Sequence, residues 1–219
     1  MLKLLKWPWA IAIITLAVGL YSYFQLDPSI EIPVHWNING EVDRTASPLG
    51  ALLGVPGTFI IVLLILSFLK QLEPRREHLE QSGKAFQAIT IGVSIVILIA
   101  QGMIISAAFG YATITINTLV GGIGLMFAVM GNYLGKLKST FFVGIRTPWT
   151  LSSETVWKKT HRLAGKLYVV IGLIIIALSF LVSAKDLSYV LIAVLMPAAF
   201  FPLGYSWYIW KQEQNELIE

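Results

Sequence analysis

Few groups in this sequence could do chemistry. The histidines number three, His35, His78 and His161, and there is no cysteine. Thiol catalysis, disulfides and iron–sulfur clusters are thereby excluded. His35 and Asp43 flank a turn and could both touch a metal ion, but two ligands fall short of the three or four that a site needs. Arg146, Glu154 and His161 could gather as a polar site for acid–base chemistry. No nucleophile and base stand beside them in a recognisable catalytic spacing. The expectation is a protein that is not an enzyme and holds no metal or cofactor.

Two polar connections are too patterned to be plain links. The first runs from Asp27 to Arg44. Asn39-Gly40 is a strong hairpin signal because both residues tolerate positive φ. The expected strands are Val34 to Ile38 and Glu41 to Arg44, with Val34, Trp36 and Ile38 on one face and His35, Asn37 and Asp43 on the other. Alone, such a hairpin is marginal in water and must lean on helices or on the membrane interface. The second connection runs from Phe142 to Lys166. Pro148 ends the approach to it, and Ser152 or Ser153 is placed to cap a helix with Glu154 in its first turn. Val156, Trp157, Thr160, Leu163 and Ala164 then form an apolar stripe, with Lys158, Lys159, Arg162 and Lys166 on the other faces. Trp157 and His161, four apart, should stack. The expected element is an amphipathic surface helix.

The elements that must position these connections are apolar. The chain has 219 residues, 56% hydrophobic and 13% charged, far from the balance of a soluble domain. Runs near the ~20 residues needed to cross a bilayer fall at about 7–24, 49–69, 86–110, 114–133, 163–182 and 187–210. The fold class expected is all-α: residues 1–219 as one polytopic domain of six transmembrane helices, with a hairpin after the first and the amphipathic helix before the fifth. Of the 16 basic residues, 14 fall on the faces that hold both termini and the second connection, leaving only Arg44 and Lys185 opposite. The positive-inside rule then makes both termini cytoplasmic and the hairpin extracellular. The positive charge reports orientation, and direct nucleic-acid binding is not expected. No small-x-small cleavage site follows the first run, which is expected to remain as an anchor.

Inside the runs, no Asp, Glu, Lys, Arg or His lies near the bilayer centre, where a small transporter or exporter component would place them. Gln101 and Asn132 are the strongest buried polar groups expected there, and Gln101 is expected as an interhelical hydrogen-bond partner. Gly131 and Gly135 have the small-xxx-small spacing of closely packed helices. Pro56, Pro197 and Pro202 should leave carbonyls for neighbours to satisfy.

Gly144-Ile145-Arg146-Thr147-Pro148-Trp149-Thr150-Leu151, then Glu154 through Trp157-Lys158, then His161-Arg162, resembles the cytoplasmic signature of the SdpI-type bacterial immunity proteins. The loop Ile32 to Asn37, with Gly40 and Asp43, resembles their extracellular segment. The likeness departs at Ser47-Pro48-Leu49, where members commonly carry a lysine. It implies a multi-pass protein of the bacterial cytoplasmic membrane, in contact with lipid, that protects against a secreted membrane-active peptide toxin. It further implies that His35, Trp36, Asn37, Gly40 and Asp43 receive the toxin. Gly144, Arg146, Thr147, Pro148, Trp149, Thr150, Glu154, Trp157, His161 and Arg162 would form the cytoplasmic partner surface. In the best-known system that partner is a small DNA-binding autorepressor.

Overall fold

A computed structural model describes residues 1–111 and 113–216. The chain order is α1 (Lys6–Tyr23), β1 (Ile32–Trp36), β2 (Val42–Ala46), α2 (Pro48–Ser67), α3 (Leu69–Leu72), α4 (Arg76–Gln81), α5 (Gly83–Ala108), α6 (Ile116–Leu134), α7 (Pro148–Ser152), α8 (Glu154–Leu181) and α9 (Ala184–Glu216). The protein is all-α apart from one hairpin. Five helices, α2, α5, α6, α8 and α9, are long and apolar enough to cross a membrane. The first run, α1, is not among them: its 18 residues open on Lys6-Trp7-Pro8-Trp9 and close on Tyr21-Ser22-Tyr23. Large apolar side chains such as Ile61, Leu64, Phe180 and Phe200 point outward. That is costly in water but natural where the surroundings are lipid tails.

The helices pack as two groups of three. α1, α2 and α5 touch one another, α8 lies between α6 and α9, and α5 against α6 joins the groups. The closest pair is α6 and α8, and small residues explain it. A Cβ on Gly131 would lie 2.6 Å from the Gly165 carbonyl oxygen, one on Gly165 would lie 2.7 Å from the Gly131 oxygen, and one on Gly172 would meet Ala128 N and Gly124 O at 2.5 Å. With no side chains between them, the two backbones approach to van der Waals contact.

In the other group, Pro56 has no N–H for the Leu52 carbonyl four residues back. Gln101 of α5 fills the gap, its Nε2 donating to Leu52 O at 2.9 Å. Gly19 of α1 presses on the same spot, where a Cβ would be 2.6 Å from Leu52 O. Gln101 is thus the interhelical partner expected. Asn132, expected to be buried, is instead exposed on α6, because the Gly131 face is the one turned to α8.

Two connections differ from expectation. No separate amphipathic helix precedes α8; Glu154–Leu181 is one helix of 28 residues. Nothing from Thr155 to Leu167 breaks it, and its stripe is buried on the bundle instead of lying on a surface. The hairpin also has another register. Its strands are Ile32–Trp36 and Val42–Ala46, with Trp36 opposite Val42 and bulges on either side of His35. Only Gly40 of the turn has positive φ, at 83°. The turn is longer because the Asn37 side-chain oxygen accepts from Asn39 N at 2.8 Å and Glu41 N at 3.0 Å. That local bonding outcompetes a two-residue loop.

Candidate functional site

The signature is built around Gly144, whose φ of 116° lies outside the reach of ordinary side chains. A Cβ there would sit 2.7 Å from His161 Nε2 and 2.8 Å from Trp157, so the loop lies directly on the edges of these two rings. The rings themselves stack, 3.9 Å between centroids and 19° from parallel. His161 Nε2 accepts from Ile145 N at 2.9 Å, so Nδ1 carries the hydrogen and donates to the Trp157 carbonyl at 2.8 Å. Trp157 Nε1 donates to Leu137 O at 2.8 Å, tying α8 to the chain leaving α6. Every polar atom of the two rings is thus engaged, and both residues are fully buried. A histidine held this way is a structural crosslink with no free nitrogen for catalysis.

Thr147 caps α7. Its hydroxyl accepts from Thr150 N at 3.1 Å and the Thr150 hydroxyl accepts from Thr147 N at 2.9 Å. Pro148 follows at the first helical position, where its missing N–H costs nothing. Thr147 also reaches Ser206 of α9 at 3.0 Å. Ser153 caps α8 and donates to Glu213. Trp149 is half-buried, while Arg146, Pro148, Glu154 and Arg162 are exposed. Arg146 donates from Nη1 to Phe141 O at 2.9 Å. Glu154 instead pairs with Lys158 at 3.4 Å and lies 4.0 Å from His78 Nε2. The proposed grouping of Arg146, Glu154 and His161 is therefore not assembled.

Sequence reasoning missed the group that holds this region together. Glu73, between α3 and α4, is buried. Its carboxylate accepts from the backbone N–H groups of Arg75, Phe141 and Phe142 at 3.0–3.2 Å. Arg75 stacks on Phe141 at 4.8 Å and donates to Ser139 Oγ and to Leu151 O. His78 Nδ1 meets Ser139 O at 2.8 Å. The one available signal was an acidic residue before a proline, Glu73-Pro74, inside a basic connection.

At the far end of the bundle, His35 donates from Nδ1 to Asp43 at 2.5 Å across the strands, with both side chains exposed. Asn37 shapes the turn and also donates to Glu41 at 3.1 Å. Ile32 is buried against Ala51 and Leu52 of α2 and Ile104 of α5. Gly40 at the tip approaches Ala184 of α9, leaving 3.3 Å for a Cβ. The hairpin is thus a strap across the bundle end. Beneath it lies a cavity of about 450 Å³, lined among others by Trp36, Val42, Met103, Tyr111, Ile114 and Asn117. Trp36 and Gly40 border this cavity, whereas His35 and Asp43 pair in solvent.

Comparison with known proteins matches both ends. Residues 136–206, from the end of α6 into α9, fit the model of the SdpI/YfhL protein family. Residues 10–66, spanning α1, the hairpin and α2, fit a domain of unknown function, DUF1648. The immunity protein SdpI of Bacillus subtilis (strain 168) is 30% identical over 182 residues, covering 82% of each chain. No solved structure matches.

Proposed function

The chain belongs to the SdpI/YfhL protein family, and from that premise we propose that it is a membrane immunity protein that defends its cell against a secreted, membrane-active peptide toxin. The observation that carries this reading is the likeness to a named immunity protein over 82% of the chain. In this reading α1 joins the five apolar helices as a sixth span. Both termini lie in the cytoplasm and the hairpin lies outside, in keeping with the distribution of basic residues.

The toxin engages the hairpin end. The cavity under Trp36 offers an apolar recess, and the His35–Asp43 pair with Asn37 offers polar contacts above it. A second groove, about 570 Å³ between α5, α6 and α8, shares Thr115 and Asn117 with the first. A peptide already partitioned into the bilayer would therefore meet the recess from the side. Among the described residues, the five long helices bury no Asp, Glu, Lys or Arg. This favours interception over proton-coupled export.

If a repressor is captured on the cytoplasmic side, its contacts fall on the exposed Arg146, Pro148, Glu154 and Arg162. Gly144, Thr147, Thr150, Trp157 and His161 would hold that surface in shape from within. The deciding experiment is survival of sensitive cells challenged with the toxin while expressing the protein. Survival should rise with wild-type protein and fall back with a Trp36→Ala variant of equal membrane abundance. Sensitivity unchanged by wild-type expression would refute the immunity reading.

A further inference from the structure

A cleft of about 200 Å³ opens beside the signature, between the end of α6 and the first turns of α8. Its lining includes Lys136, Lys138, Lys158 and Arg162, opposed by the single carboxylate of Glu154. That carboxylate is already paired with Lys158. Among the described residues, Lys136, Lys138 and Arg162 have no carboxylate partner. Three exposed cations therefore line one concave site without a carboxylate partner, a surface whose potential attracts an anion.

The depth of the cleft says which anion. α8 rises about 28 Å from Arg162 to Leu181, at ~1.5 Å per residue, close to the ~30 Å of a bilayer's hydrocarbon core. α6 has 19 residues and the same length, and it ends at Gly135, where a Cβ would lie 3.4 Å from Arg162 Cγ. Both helices thus deliver the cleft to the level of the lipid phosphates. The Lys136 ammonium stands 4.6 Å over the ring of Tyr133, an aromatic suited to that interface. Trp157 is also among the lining residues.

We propose that this cleft binds the phosphate-bearing headgroup of an anionic membrane phospholipid, wedged between α6 and α8 beside the Trp157–His161 stack. Arg162 gives a planar fork for two phosphate oxygens, and Lys136 and Lys138 act as point charges around it. Basic recesses between helices at this depth suit such headgroups. The proposal uses only the apolar character of α6 and α8 and stands apart from the immunity reading.

The test is lipid retention by the full-length protein, measured by native mass spectrometry after exchange from micelles holding equal phosphatidylglycerol and phosphatidylcholine. Wild-type protein should keep phosphatidylglycerol at least tenfold over phosphatidylcholine. The variant K136Q/K138Q/R162Q should lose that preference, and K3Q/K6Q should keep it. Should the triple variant fail to fold, Glu154→Gln remains: removing the opposing carboxylate should increase phosphatidylglycerol retention. Equal retention of both lipids by wild type, or an unchanged Glu154→Gln, would overturn the proposal. Competition by millimolar inorganic phosphate, or by a soluble acidic peptide, as strong as that by phosphatidylglycerol would also overturn it, since the site would then serve a soluble anion.

Discussion

Gly144, Trp157 and His161 show how a signature read as a binding surface can be an internal brace. Their spacing was legible, and so was the stacking of the two rings. Their burial was not, because a Trp and a His among lysines look the same on a solvated face as on a packed one until the partner loop is known. His161→Phe keeps the stack but leaves the Ile145 N–H without an acceptor, while the Trp157 carbonyl keeps its backbone bond within α8. An unpaired buried polar group costs about 1–3 kcal/mol. The variant should unfold at lower temperature in detergent, with faster amide exchange at Ile145. Unchanged exchange there would show that the ring nitrogen carries no such bond. Glu73→Gln should act at a distance along the same brace, since its amide turns an N–H donor toward backbone donors that the carboxylate now satisfies. Loss of about 1–3 kcal/mol is expected, read as a lower unfolding midpoint.

The helices were the part of the fold most open to sequence reasoning. Their length and apolar character are set by the bilayer, a solvent of fixed thickness, so composition alone locates them. Where they end and how they meet depends on single groups. The N-cap at Ser153 was visible, but the continuity of α8 was hidden, because an amphipathic stripe serves a surface helix and a buried one equally well. The glycine spacing on α6 gave the right kind of contact without naming α8 as its partner. Two substitutions separate packing from propensity. Gly131→Val would drive its side chain into backbone atoms of Gly165 and Val169 and should abolish recovery of monodisperse protein. Gly57→Ala, with open space around its Cβ, should leave recovery intact. If both variants behave alike, the close approach of α6 and α8 is not what holds the pair.

The whole molecule is asymmetric in charge and in architecture. One end carries short helices, a buried carboxylate and most of the lysines and arginines. The other is crossed by a two-stranded strap. The basic split on which the proposed orientation rests is a whole-chain property, readable without any contact. The hairpin register was not readable, because Asn37 rewrites the turn through bonds to its own backbone. Reporter fusions test the proposed topology: those at Gly40 and Lys185 should report outside, and those at Glu80 and Ser153 inside. Two reversed readings would rule out six spans with both termini in the cytoplasm.

The bond from Gln101 to the Leu52 carbonyl also has a consequence in time. A ribosome delivers α2 to the membrane before α5 exists. During that interval the carbonyl freed by Pro56 lacks the Gln101 donor, and Gly19 of α1 crowds it without hydrogen-bonding it. The α1–α2 pair is therefore an unfinished piece until α5 emerges with the Gln101 amide at the right height. A chain truncated just before α5 should then be a poor substrate for stable insertion and a good one for membrane proteases. In this way a single proline makes the α1–α2 pair depend on α5.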